Sequence, residues 1–324
     1  MKTYIDTMTE NKIMQATREG FGQGLLQIGT DERVYGLCAD LTESVQMHHF
    51  AKVYPSRYIE MGIAEQNMAA VASGIASMGM IPYIASYAAF NPGRNWEQIR
   101  TTIAYNNMPV RIIGAHAGLS VGPDGGSHQM LEDIALMRVM PNMTVLVPID
   151  ANEAKAMTIA SLDIKGPVYI RLTREKSPLI LADDYKYSSE PFILYKSKIE
   201  KIKKIAIIAC GPIAYEALKS IEEIERHNIE IVIINLSTIK PLDERFILNI
   251  IEKYNYILTV EEHQMAGGLG SAIAEFVVKH KRIMMDMIAV HNRFGQSGKT
   301  DELYTEYGLT SPYIVEAAIN LVNK

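Results

Sequence analysis

Residues 58–68, YIEMGIAEQNM, pass from a short apolar run that reads as a strand into an alanine-rich run that reads as a helix, with Glu65 at the junction. A strand that turns through glycine into a helix is half of a βα unit, and the rhythm continues on both sides. The runs VYGLCA (34–39), IPYIAS (81–86), VRIIGAHA (110–117), TVLVP (144–148) and PVYIRLT (167–173) are rich in apolar residues. Helix-period segments fall between them, near 64–78, 96–105, 128–140 and 152–162. Near-continuous apolar strands separated by helices predict a parallel sheet covered on both faces.

The rhythm breaks from about 181 to 204, a polar, tyrosine- and lysine-rich run containing Pro191, with residues 186–204 read as the linker. A second series follows: KIAIIACG (204–211), a helix at 215–226, IEIVIINL (229–236), a helix at 243–254, YILTVEEH (256–263), a helix at 269–280, MMDMIAV (284–290) and a helix at 313–322. The expected fold class is α/β, with two consecutive parallel-sheet domains over 1–185 and 205–324.

The composition suits this. The 324 residues are 48% hydrophobic and 21% charged, enough for a large core. A net charge of -5 gives no reason to expect nucleic acid or an anionic membrane as partner. Cys38 and Cys210 lie in strand-like segments without a CxxC, so buried reduced thiols are expected, and neither zinc nor disulfides. The opening MKTYIDTMTENK lacks an apolar signal core and no run is long enough to span a bilayer, so the expected compartment is the cytoplasm.

Ligands of open parallel sheets sit at the carboxyl ends of the strands. The polar residues that follow the predicted strands are Asp40, Ser44, His116, Asp124, His128 and Arg174, which would share one rim. Such a set suits a small phosphorylated ligand. Glu65 itself has three readings from the residues alone: solvated, capping the helix as the third residue after Gly62, or kept for chemistry.

Three stretches go beyond a generic α/β pattern: YIEMGIAEQNM; HAGLSVGPDGGSHQMLEDIALMRVMPNMTVLVP (116–148); and STIKPLDERFILNIIEKYNYILTVEEHQMAGGLGSAIAEF (237–276). With ATREGFGQGL (16–25) and VHNRFGQSGK (290–299), they make nearly the whole chain resemble the C-terminal half of a transketolase. Transketolases have a first domain that holds the diphosphate of thiamine diphosphate and a divalent metal through Gly-Asp-Gly and a downstream Asn. No such segment occurs here, so no metal ligand is assigned. What remains resembles the pyrimidine-binding domain followed by the C-terminal domain. The resemblance therefore implies one subunit of a split transketolase, whose partner, the N-terminal subunit, holds Mg2+ and the diphosphate. Two copies of each chain, a heterotetramer, are expected.

The resemblance also implies roles for single residues. Glu65 would hydrogen-bond the aminopyrimidine ring nitrogen, favouring the imino tautomer that removes the thiazolium proton. Tyr87, where the family commonly has Phe, and Phe90 would stack around that ring. Asp40 would lie near the cofactor. Ser44, Arg18, Arg174 and His116 would hold the sugar phosphate, for which a guanidinium is well suited. Arg171, three residues before Arg174, offers the same chemistry. Asp124 would reach the aldose's second hydroxyl and His128 the ketose's first hydroxyl or carbonyl. Catalytic roles thus fall to Glu65, His116 and His128. The family's Gly-Glu-Asp-Gly is here Gly122-Pro123-Asp124-Gly125, which removes one glutamate. Glu261, Glu262 and His263 read as structural.

The implied reaction is two-carbon ketol transfer between ketose and aldose phosphates. A 2-oxoacid dehydrogenase beta subunit is disfavoured by the arginines and the DGGSHQ loop. A 1-deoxyxylulose-phosphate synthase resembles the chain around GIAEQ but carries three domains in one polypeptide. A scaffold that has lost its partner is the non-enzyme reading, against which retention of every expected sugar-contacting residue except the replaced glutamate argues.

Overall fold

The computed structural model describes residues 12–198 and 200–324. A small two-stranded sheet pairs β1 (Met14–Ala16) antiparallel with β8 (Lys176–Pro178), bringing the two ends of the first domain together. The main sheet of that domain contains β2 (Val34–Cys38), β3 (Tyr58–Glu60), β4 (Ile81–Tyr87), β5 (Arg111–Ala115), β6 (Thr144–Leu146) and β7 (Val168–Arg171). A seventh strand, β12 (Thr238–Lys240), comes from the second half of the chain, and the order is β12-β6-β7-β5-β4-β2-β3. All pairs are parallel except β12 with β6.

The second sheet contains β9 (Phe192–Lys196), β10 (Lys204–Ala209), β11 (Glu230–Asn235), β13 (Tyr256–Gln264) and β14 (Met284–Val290), in the order β14-β13-β10-β11-β9. It too is parallel apart from β9, which runs antiparallel to β11. The run read as a linker therefore contributes an edge strand, and the second half of the chain returns one strand to the first sheet. One apolar cluster spans both sheets, including Val145 and Val147 with Ile234 and Ile239.

Three helices differ from expectation for local reasons. The helix expected over 96–105 is one turn, Trp96–Gln98, that continues as a π-helix over Ile99–Ala104. The helix expected over 128–140 is confined to Asp133–Arg138. Gln129 is buried and donates to three carbonyls of neighbouring loops, which keeps its own segment irregular. The helix expected over 215–226 is divided at Ser220, whose hydroxyl bonds back to the Ala217 carbonyl at 2.7 Å. Among the described residues no helix is long and apolar enough to cross a membrane.

The strand order decides what the carboxyl rim presents. Along β7, β5, β4, β2 and β3, the residues at or just after the strand ends are Arg174, His116, Tyr87, Asp40 and Glu65. At about 4.8 Å per strand spacing, four spacings extend roughly 19 Å. The arginines and Glu65 thus lie toward opposite ends of this rim.

Candidate active site

Glu65 is the first residue of the helix Glu65–Ser77, which follows Gly62 (φ +65) and an irregular Ala64. It is only 3% exposed, which excludes the solvated reading. Capping fails too: among the described residues no backbone N–H donates to its carboxylate, and Oε2 is buried without a hydrogen-bond partner. A buried carboxylate oxygen left unpaired is unfavourable, and it is the kind of group a bound donor satisfies.

The loop before it is organised by Glu60. Its Oε1 accepts from the N–H groups of Asp40 (2.8 Å) and Gly62 (2.9 Å), and its Oε2 from Thr42 (2.8 Å) and Tyr58 (3.0 Å). Burial pushes the Glu60 carboxyl up, but the donors from Asp40, Thr42, Gly62 and Tyr58 outweigh it and hold it below its ordinary range. Asp40 is fixed in the left-handed region, at φ 58, with its side chain exposed.

Four rings gather beside β4 and β5. Tyr87 stacks on His116 with centroids 3.8 Å apart and lies nearly parallel to Phe90 at 6.2 Å. His128 meets Phe90 edge-on at 5.6 Å and Tyr87 at 6.2 Å, while its Nδ1 pairs with the Ser127 hydroxyl at 2.9 Å. His116 is 2% exposed, sits at φ 54, and has no partner at Nδ1. Burial first, then the nearby Arg18, Arg174 and His128, push its pKa down to about 3, so the ring is neutral across the physiological range.

The arginines form a bridge. Arg18 Nη1 donates to the Ser44 carbonyl at 2.7 Å and its Nε to the Arg174 carbonyl at 3.3 Å. Arg174 Nη1 donates to the Val121 carbonyl at 2.6 Å. Both side chains are half-buried. Arg171 belongs elsewhere: it is buried, with Nε 2.9 Å from Asp133 Oδ2 and Nη2 2.8 Å from the Glu262 carbonyl. Asp124, by contrast, ends the 3-10 segment Leu119–Asp124 with its side chain exposed and outside the ring cluster.

Three residues that organise the surroundings of Glu65 escaped the sequence reading. Glu60 gave only a weak signal, a carboxylate closing a strand. Asn91 and Asn95 form a buried amide pair behind Glu65, and their i, i+4 spacing was the one available clue.

The residues present suit an aminopyrimidine: an unpaired buried carboxylate at one end, parallel aromatic faces, and cationic groups at the far end. Among the described residues no group of three or more His, Cys, Asp or Glu side chains is placed to hold a metal ion.

A parallel α/β domain with this rim, followed by a smaller parallel-sheet domain, is the arrangement of the later two domains of transketolases. Residues 14–178 match the transketolase pyrimidine-binding domain and residues 196–314 the transketolase C-terminal domain. The chain belongs to the transketolase family. It is 38% identical to a chain named as a transketolase C-terminal section from Methanocaldococcus jannaschii, over 96% of this chain and 98% of that one. It is 36% identical to a 6-deoxy-6-sulfo-D-fructose transketolase subunit of Clostridium sp. (strain MSTE9), over 89% and 88%. A solved split-gene transketolase, described as an inactive beta4 tetramer, superposes with a TM-score of 0.85 at 35% identity, covering 95% of this chain and 98% of that chain. Within the family, this chain is the counterpart of the C-terminal section of a split transketolase.

Proposed function

We propose that this chain is the pyrimidine-binding subunit of a two-chain, thiamine-diphosphate-dependent transketolase that moves a two-carbon ketol unit between a ketose phosphate and an aldose phosphate. The observation that carries the reading is Glu65, buried to 3% exposure with Oε2 unpartnered, on the same strand-end rim as a stacked ring cluster and two arginines. Thiamine diphosphate supplies the carbon nucleophile and the electron sink. Glu65 shares a proton at Oε2 with the aminopyrimidine, and burial keeps water from competing for it. Tyr87 and Phe90 hold the ring face. His116, neutral, and His128 bind the sugar's oxygens and pass protons at their ring nitrogens, with Asp124 reaching the aldose hydroxyl.

Arg18 and Arg174, with Ser44, hold the phosphate; Arg18 is itself fixed by two carbonyls, so its remaining donors are oriented before ligand arrives. Asp40, held by Glu60, borders the cofactor. The partner chain holds Mg2+ and the diphosphate, in an assembly of two copies of each. A relative acts on a sulfonated sugar, as its name states, and a clamp of guanidinium and hydroxyl groups accepts either anion. The test is to combine the chain with a partner carrying the diphosphate-binding domain, thiamine diphosphate, magnesium, xylulose 5-phosphate and ribose 5-phosphate. Sedoheptulose 7-phosphate is expected from the mixture and not from either chain alone. No product from the mixture would overturn the transketolase reading.

A further inference from the structure

We infer that Glu262, in the second domain, is a positioning residue for the substrate loop of the first, so that the C-terminal domain helps set sugar affinity; the affinity part rests on the function proposed above. The loop over 117–129 joins His116 to His128 and contains Asp124. Its first turn lies directly on the Glu262 side chain. Glu262 is 3% exposed, and its Oε1 accepts the Ser120 N–H at 2.6 Å. Gly118, at φ +82, has no room for a side chain, because a Cβ there would lie 2.4 Å from that same oxygen. Such a close approach at positive φ requires glycine.

Glu262 is itself anchored. Its carbonyl accepts from Arg171, which pairs with buried Asp133, and the Tyr169 hydroxyl donates to the same Asp133 oxygen at 2.6 Å. The far side of the loop also leans on the second domain: Gln129 donates to the carbonyls of Leu119, Gly122 and Gln296, and Gly295 packs so tightly on Gln129 that a Cβ would come within 1.8 Å of its Oε1. The loop is therefore held between a buried carboxylate on one side and the segment around Gly295 on the other. The buried Oε1 accepts the Ser120 N–H at 2.6 Å, out of reach of competing water, so Glu262 fixes the loop start before any sugar arrives.

The test compares Glu262→Ala with Glu262→Gln, the second of which keeps an acceptor for Ser120. In the isolated chain, amides 118–128 of Glu262→Ala are expected to exchange at least about tenfold faster than in the parent, with Glu262→Gln near the parent. In the assembled enzyme, KM for the sugar phosphates is expected to rise about tenfold in Glu262→Ala, while thiamine diphosphate affinity is unchanged and Glu262→Gln is restored. Should Glu262→Ala fail to fold, Gly118→Ala pushes a methyl into the same contact from the loop side and is expected to give the same two changes. Unchanged loop exchange in both variants overturns the positioning role. Faster exchange with KM unmoved overturns the link to sugar affinity, and the absence of transfer activity in the parent enzyme falls on the proposed function alone, since the exchange result stands without it.

Discussion

The side-chain amide of Asn95 donates to the main-chain carbonyl of Glu65 at 3.1 Å, and behind it Asn95 donates to Asn91 Oδ1 at 2.9 Å. Asn91 in turn donates to the carbonyls of Ile84 on β4 and Ile113 on β5, at 3.2 and 3.0 Å. Two buried amides thus tie the backbone of Glu65 to the middle of the sheet, while its carboxylate oxygen stays unpaired. The backbone is held, while Oε2 has no protein partner among the described residues.

Removing the anchor should loosen the site from behind. Asn95→Ala removes the side-chain donor that ties the Glu65 carbonyl to the sheet and leaves buried Asn91 Oδ1 without its donor, which costs about 1–3 kcal/mol. Urea denaturation of the isolated chain measures this, and turnover in the assembled enzyme should fall with it. Stability within about 0.5 kcal/mol of the parent would mean that the amide pair does not anchor Glu65.

Glu65→Gln should separate stability from activity. It removes an unpaired buried carboxylate, so the folded chain should be as stable as the parent or more so. Turnover with the partner chain should be abolished, because the amide cannot share the proton in the same way. Near-normal turnover would return Glu65 to a structural role.

The contrast between Glu65 and its neighbours shows what the sequence made legible. The βα rhythm read out both sheets because parallel strands buried on two faces need continuous apolar runs. The rim residues could be named because strand ends are where such sheets bind ligands. What remained hidden depended on tertiary partners. Thr238–Lys240 joins the first sheet across the domain junction, which no local pattern encodes. Glu60, Asn95 and Glu262 act through backbone groups 20, 30 and 142 residues away in sequence. Capping by Glu65 was a sound local reading that the tertiary structure overrides.

His116 makes a pH prediction whose sign is fixed by burial. Its pKa is depressed to about 3, so between pH 5 and 8 it is neutral and contributes no charge to anion binding. His116→Asn should therefore weaken sugar-phosphate binding by the same factor at pH 6 and pH 8. A loss confined to pH 6 would show that it acts as a cation. The unfolded chain takes up this proton near pH 6.5 and the folded chain only near 3, so the residue makes stability fall as pH drops through that interval. His116→Asn should be correspondingly less acid-labile, as thermal melts between pH 4 and 7 would reveal.

Arg171 and Arg174 lie three residues apart and should respond in opposite ways. Arg171→Ala leaves Asp133 buried without its cation, 0% exposed, and should cost about 3–5 kcal/mol of folding stability. Arg174 has a side chain 33% exposed, and among the described residues its hydrogen bonds include one to a loop carbonyl and none to a carboxylate at close range. Its replacement by Ala should change stability by only about 0.5 kcal/mol in either direction. The functional effects should be reversed, with Arg174→Ala raising KM for a phosphorylated ketose at least about tenfold and sparing an unphosphorylated one. Arg174→Lys should recover only part of this, because an ammonium does not reproduce the two-pronged donor of guanidinium. Urea denaturation and initial-rate kinetics on the same preparations decide the assignment. A stability loss at Arg174 together with a phosphate-specific defect at Arg171 would exchange their roles.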